Sequence, residues 1–75
     1  MEKEKEILQK IGKQLKIMRK NAGFTSHENF AFELDISSRY YWDVENGRNF
    51  SILYLLKILS HYQITVQEFF LMLEK

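Results

Sequence analysis

Apolar residues recur at intervals of three and four along the chain, which is the spacing of amphipathic α-helices. The first series predicts a helix over residues 3–21 and consists of Leu8, Ile11, Leu15 and Met18. Gly23 follows this series and favours a helix end, because glycine adopts positive φ without strain. The same spacing recurs in later segments, so the pattern predicts an all-α fold of five short helices around one core.

Each of the four later helices has a candidate capping residue at its start. The expected helices cover residues 27–34, 38–46, 52–62 and 66 to near the end. The capping residues are, in that order, Ser26 or alternatively Thr25, then Ser37, Ser51 and Thr65. Thr65 is followed by Glu68 at the spacing of a capping box, in which each side chain bonds the other residue's backbone amide.

The apolar faces of these helices predict the residues of the core. They are Phe30, Ala31 and Leu34 in the second helix, Tyr41 and Val44 in the third, Ile52, Leu55, Leu56 and Leu59 in the fourth, and Val66, Phe69, Phe70 and Leu73 in the fifth. One such core accommodates the whole chain, so residues 1–75 are expected to form a single domain.

The second and third helices, joined by three residues, have the form of a helix-turn-helix over about residues 26–47. Small Ala31 suits the place where the two helices cross, and Ile36 and Val44 are expected to face the core. The third helix then presents its other face to solvent, and that face carries Ser38, Arg39, Trp42 and Asp43. A helix exposed in this way fits the major groove of B-form DNA.

From Ile11 to Phe70 the chain resembles the XRE, or phage-repressor (Cro/C1-type), helix-turn-helix family. The matching residues and segments are Leu15–Lys20, Gly23, Glu28, Phe30-Ala31, Leu34–Ser37, Val44–Gly47, Leu55–Ile58 and Ile64–Phe70. The resemblance implies a five-helix lambda-repressor-like bundle that binds double-stranded DNA in a sequence-specific way. It also implies a transcription regulator that usually acts as a homodimer on a near-palindromic site.

The resemblance implies roles for single residues on the third helix. Ser38 and Arg39 fall on the principal base-contacting positions, where Arg39 is expected to pair with guanine or, alternatively, with a phosphate. Trp42 is expected to touch a thymine methyl group or to pack on a neighbouring element. Asp43 can accept from cytosine N4, but it would repel a nearby phosphate. Glu45 is expected to form a partly buried ion pair with Arg19.

Phosphate contacts are implied at both ends of the helix-turn-helix. The residues concerned are His27, Arg48, Asn49 and Ser51. His27 stands where the family often has glutamine, and the alternative is that it is simply an exposed residue of the first helical turn. The other three lie between the third and fourth helices, where backbone amides at a helix start attract anions.

Charge and exposed apolar residues keep a second function open. The net charge is only +1, and residues 26–47 carry five acidic side chains against Arg39 alone, which opposes tight DNA binding. A possible dimer or partner surface comprises Leu53, Tyr54, Phe70, Met72 and Leu73, although the tail alternatively folds back on the core. The second candidate is therefore a protein-interaction module of the same fold, such as an antitoxin-like or co-regulator subunit.

The residues do not support other classes of function. The chain has no cysteine, its histidines His27 and His61 lie on separate helices, and it has no glycine-rich phosphate loop, so no metal, cofactor, small-molecule substrate or enzyme activity is expected. The charged start lacks a signal-peptide core and no apolar run suits a membrane helix. We therefore expect a cytoplasmic protein, and the family resemblance implies a bacterial or phage source and association with the nucleoid.

Overall fold

The computed structural model describes residues 2–74 and contains, over that range, five helices and no strand. The helices are α1 (Glu2–Asn21), α2 (His27–Leu34), α3 (Ser38–Glu45), α4 (Ile52–Tyr62) and α5 (Val66–Met72). The predicted all-α fold class is confirmed. Met1 and Lys75, the ends of the predicted single domain, lie outside the described residues. No helix in the described range is long and apolar enough to cross a membrane.

The helix starts are set by the predicted capping residues. The side chains that accept a backbone N–H three residues later are Ser26, Ser37, Ser51 and Thr65. Glu68 completes the capping box by accepting the N–H of Thr65 at 2.8 Å. Each such bond satisfies an amide that the first turn of a helix leaves without a partner. Because cap and amide are only three residues apart, these starts could be predicted from local sequence.

The core is formed by one buried residue set drawn from all five helices. Its members are Ile11, Leu15, Phe30, Ala31, Leu34, Tyr41, Val44, Leu55, Ile58, Leu59 and Phe69. Ala31 has no exposed surface, in agreement with a close crossing of α2 and α3, and these two helices pack directly together. Ile36 packs against the core from the turn between them. The predicted inward faces of α2 and α3 are confirmed.

The predicted core face of α4 is partly wrong. Ile52 and Leu56 are 57% and 42% exposed, whereas Ile58 is buried beside Leu55 and Leu59. The helix has apolar residues on most of its circumference, so spacing alone could not select the inward face. Contacts with α2 and α5 select it instead.

The inward face of α5 was predicted more broadly than the structure shows. Phe69 is fully buried, while Phe70, Val66 and Leu73 are half-buried and pack against the edge of the core. His61 on α4 is exposed, and its ring meets that of Phe30 edge-on with centroids 5.1 Å apart. A short helix at the rim of a small bundle cannot bury three sides of its surface.

Candidate nucleic-acid interface

Helix α3 has one face inside the core and one face in solvent. Tyr41 and Val44 are 0% and 1% exposed. On the opposite side Ser38 and Arg39 are exposed and Trp42 keeps 37% of its surface in solvent. The helix is therefore held from behind by apolar packing while its polar side chains project outward.

An ion pair joins α1 to the end of α3. The Arg19 Nε donates to Glu45 Oε2 at 2.7 Å, and Nη2 donates to Oε1 at 3.3 Å. The remaining nitrogen, Nη1, donates to the carbonyl oxygen of Phe24 at 2.8 Å. Arg19 is only 4% exposed, and its hydrogen bonds with Glu45 raise the pKa of the guanidinium. This expected pair is thus present, and it fixes the distance between α1 and α3.

Two tyrosines whose hydroxyl oxygens are enclosed lie near this ion pair. Burial, together with the negative charge of Glu45, raises the pKa of Tyr41 far above its usual range. The same two causes raise the pKa of Tyr62 to about 12. Both phenols therefore stay neutral even at about pH 10, where an ordinary tyrosine ionises. No phenolate competes with Glu45 for the Arg19 guanidinium there.

Gly12 allows α1 to approach the end of α3 at backbone distance, a role the sequence analysis missed. A β-carbon placed on Gly12 would lie 2.7 Å from the carbonyl oxygen of Val44 and closer still to that of Glu45. Both neighbours are backbone atoms, so neither can rotate away. The signal available in the sequence was a glycine on the inward side of α1, one residue after Ile11.

The two acidic residues of α3 each have a cationic neighbour. Asp43 Oδ1 is enclosed, with no hydrogen-bond partner among residues 2–74, and the Nε of Arg39 lies 3.6 Å away. Glu45 is neutralised by Arg19 on the inner side of the helix. Neither carboxylate therefore presents an uncompensated charge on the outward face of α3.

The remaining negative charge of the helix-turn-helix lies on α2 and its C-terminal cap. Glu28, Glu33 and Asp35 are all exposed. The acidic excess of residues 26–47 therefore overstates the electrostatic repulsion that a phosphate would meet at α3. A count of charges ignores where each carboxylate points and whether a cation lies next to it.

The four candidate phosphate contacts lie at the start of α2 and in the loop before α4. His27 is the first residue of α2, with Nδ1 3.8 Å from Glu28 Oε1 and 28% of its side chain exposed. Arg48 and Asn49 are exposed in the α3–α4 loop. Ser51 is already engaged, since its Oγ caps α4 and its N–H has a side-chain partner.

That partner is Tyr40, a second residue the sequence analysis missed. The Tyr40 Oη accepts the Ser51 N–H at 2.7 Å, and its ring stacks on that of Tyr54 with centroids 4.1 Å apart. Tyr40 directly follows Arg39. Its contacts therefore connect α3 to the loop and to α4 at a position next to the outward face of α3. No local signal could have revealed a contact between residues eleven positions apart.

The candidate partner surface divides into an open part and a covered part. Leu53 is 73% exposed. Tyr54 is half-buried against Tyr40, and the α5 residues Phe70, Met72 and Leu73 are half-buried against the core. The tail thus folds back in part, while Leu53 stays open beside a shallow groove that also contains Ile36 and Lys57. No cluster of three metal-ligating residues occurs in the described part of the chain.

Comparison with known proteins agrees with this geometry. Residues 15–69 match the helix-turn-helix family. Over 67 residues the chain is 40% identical to control protein C.MunI of a Mycoplasma species, an alignment covering 88% of this chain and 90% of that protein. No solved structure matches the chain significantly. The chain belongs to the XRE-type helix-turn-helix family and is a DNA-binding transcription regulator.

Proposed function

We propose that the protein binds its DNA site by inserting α3 into the major groove, as a control protein of the kind named among its relatives. The base contacts come from Ser38, Arg39, Trp42 and Asp43. The phosphate contacts come from His27, Arg48 and Asn49, and from Ser51 through its hydroxyl proton, because its amide is bonded to Tyr40. One observation carries the proposal: Tyr41 and Val44 are buried while the opposite face of the same helix is open. A supported helix with a free polar face is what groove recognition requires.

The geometry around Arg39 supports a contact with guanine. Its side chain is 82% exposed, and the neighbouring Asp43 approaches it from the Nε side. The two terminal Nη atoms then remain for the O6 and N7 of a guanine. In this arrangement Asp43 limits the directions that the guanidinium takes, besides being within reach of a base itself.

Selecting duplexes from a random pool, followed by titration of the selected sequence, tests this proposal. We expect a preferred duplex whose affinity falls steeply as salt rises. We expect Arg39→Ala to reduce the preference for that duplex over an unrelated one by about 5- to 150-fold, because a bidentate guanine contact is worth about 1–3 kcal/mol of discrimination. Affinity for the unrelated duplex should change much less.

Arg48→Ala is the matched control, since it removes the same charge from the loop. It should weaken binding to both duplexes equally and reduce the salt slope by about one. If Arg39→Ala behaves in the same way, Arg39 contacts a phosphate and the base-contact role is wrong. If the wild-type protein selects no duplex even at low salt, the protein-interaction alternative replaces DNA recognition through α3.

Self-association through the open apolar part of α4 is the second element of the proposal. Leu53 at 73% and Ile52 at 57% exposure leave apolar surface that a partner copy would cover. Light scattering on the eluting protein should give about twice the 9.1 kDa chain mass. Leu53→Glu should shift the mass towards one chain, because a dimer would bury that charge.

Ile7→Glu on α1 is the control for this prediction, since Ile7 is 51% exposed and receives the same change. It should leave the mass unchanged. A wild-type mass of one chain at working concentrations would contradict the homodimer.

DNA binding of this kind needs no catalytic group and no cofactor. The positions that carry it are hydrogen-bonding and cationic side chains on α2, α3 and the following loop. We accordingly propose a non-enzymatic regulator that acts where bacterial or phage DNA lies, in the cytoplasm.

A further inference from the structure

Tyr40 is held in place through both its backbone and its side chain. Its backbone N–H donates to the capping oxygen of Ser37 at 3.2 Å. At the other end its hydroxyl oxygen accepts the N–H of Ser51 at 2.7 Å, while its ring lies nearly parallel to that of Tyr54, with 26° between the planes. A side chain held in this way has lost its rotamer freedom before any ligand arrives.

The segment that Tyr40 holds is the loop with Arg48 and Asn49. The chain contains no proline, so the shape of this loop depends on hydrogen bonds and packing. At its start the Arg48 N–H donates to the Asp43 carbonyl oxygen at 2.9 Å, and at its end Ser51 is held by Tyr40. Both anchors come from α3. The loop therefore keeps a constant position relative to the helix that carries Arg39.

The hydroxyl of Tyr40 can still donate one hydrogen bond. A phenol both accepts and donates, and the bond from Ser51 occupies only an acceptor position. The bond between the Tyr40 hydroxyl and Ser51 lies at the protein surface, and Tyr40 itself is only half-buried, so its hydroxyl lies where a ligand can reach it. Its proton has no protein acceptor within residues 2–74.

We propose that Tyr40 holds the α3–α4 loop for the DNA backbone and donates its hydroxyl proton to a phosphate oxygen when α3 is in the groove. This rests on the proposed docking of α3. Tyr40 lies on the flank of α3 next to its base-contacting face, and the flanks of a helix in the major groove face the sugar-phosphate walls. The contact would set how deeply Arg39 reaches, while adding no base preference of its own.

Tyr40→Phe tests this, since it removes one oxygen and leaves the ring stacked on Tyr54. We expect about a tenfold loss of affinity, equal on the selected and the unrelated duplex, because a hydrogen bond to a charged acceptor is lost. The salt slope should stay unchanged, as a neutral hydroxyl displaces no counterion. Tyr62→Phe is the matched control: it removes a buried hydroxyl that has no partner among the described residues, and affinity should not change.

A second measurement separates contact from mere loop support. Phosphates of the selected duplex are replaced one at a time by uncharged methylphosphonates, and each duplex is titrated with wild-type protein and with Tyr40→Phe. At one phosphate per half-site the replacement should weaken the wild-type protein but have little further effect on the variant. If every replacement costs both proteins the same, or if Tyr40→Phe binds like the wild type, the inference is overturned.

These outcomes are distinct from failure of the proposed function. If the wild-type protein binds no duplex, α3 docking fails and this inference fails with it. If the wild-type protein binds and prefers a sequence while Tyr40→Phe is unaffected, only the role of Tyr40 is wrong. Thermal unfolding of both variants, which should match the wild type within a few degrees, confirms that the comparison concerns folded protein.

Discussion

Replacing Glu45 with alanine is expected to lower the free energy of unfolding by about 3–5 kcal/mol. The cause is the guanidinium of Arg19, which is 4% exposed and would lose both of its bonds to Glu45 while remaining buried. Small domains are stable by only about 5–15 kcal/mol, so a loss of this size would remove most of the stability of a domain at the lower end of that range. Urea denaturation of wild type and variant measures the difference.

The control variant is Glu33→Ala, which removes an exposed carboxylate from α2 and should change stability by less than about 0.5 kcal/mol. A double variant, Arg19→Met with Glu45→Met, should recover much of the loss, because no charge is then left stranded. Equal costs for Glu45→Ala and Glu33→Ala would show that the buried pair does not hold α1 against α3.

Gly12→Ala is expected to destabilise the protein by about 1–3 kcal/mol, although alanine is the better helix former. At an ordinary glycine inside a helix, the same substitution would instead raise the free energy of unfolding by about 0.5–1 kcal/mol. The sign is reversed here because the new methyl group meets the backbone carbonyls of Val44 and Glu45. To relieve this overlap α1 must move away from α3, which also strains the bonds of Arg19 to Glu45.

Thermal unfolding and DNA titration together measure this effect. We expect both the melting temperature and the affinity for the selected duplex to fall, since α1 supports α3, the helix that we propose enters the major groove. Lys16→Ala, an exposed position on the same helix, is the control and should stay within about 0.5 kcal/mol of the wild type. A Gly12→Ala protein as stable as the wild type would mean that α1 and α3 are not held at backbone distance.

Local sequence was sufficient for the helices and their ends. Ser37 caps α3 because its hydroxyl needs only the amide three residues later, and Gly47 follows α3 with a φ of 83° that side chains resist. The outward position of Arg39 also follows from the helical period once Tyr41 and Val44 are placed inside. Because these relations involve only residues close together in the chain, they hold wherever the segment lies in the folded protein.

The inward face of α4 could not be obtained in this way. Ile52 and Leu56 have the same apolar character as Leu55 and Leu59, so the pattern was ambiguous. Only the angle at which α4 meets α2 and α5 distinguishes them, and that angle depends on the other four helices.

The sequence by itself indicated five helices, four of them with capping residues, together with an ion pair and a polar helix face that matches a DNA-binding family. The packed chain alone decided that Gly12 meets the end of α3, that Asp43 lies beside Arg39 with an enclosed oxygen, and that Tyr40 holds Ser51. The first group depends on hydrogen bonds and periodicity within a few residues or on a recognisable set of spacings. The second depends on distances of a few ångströms, in most cases between segments far apart in the chain, and these exist only after the helices have packed.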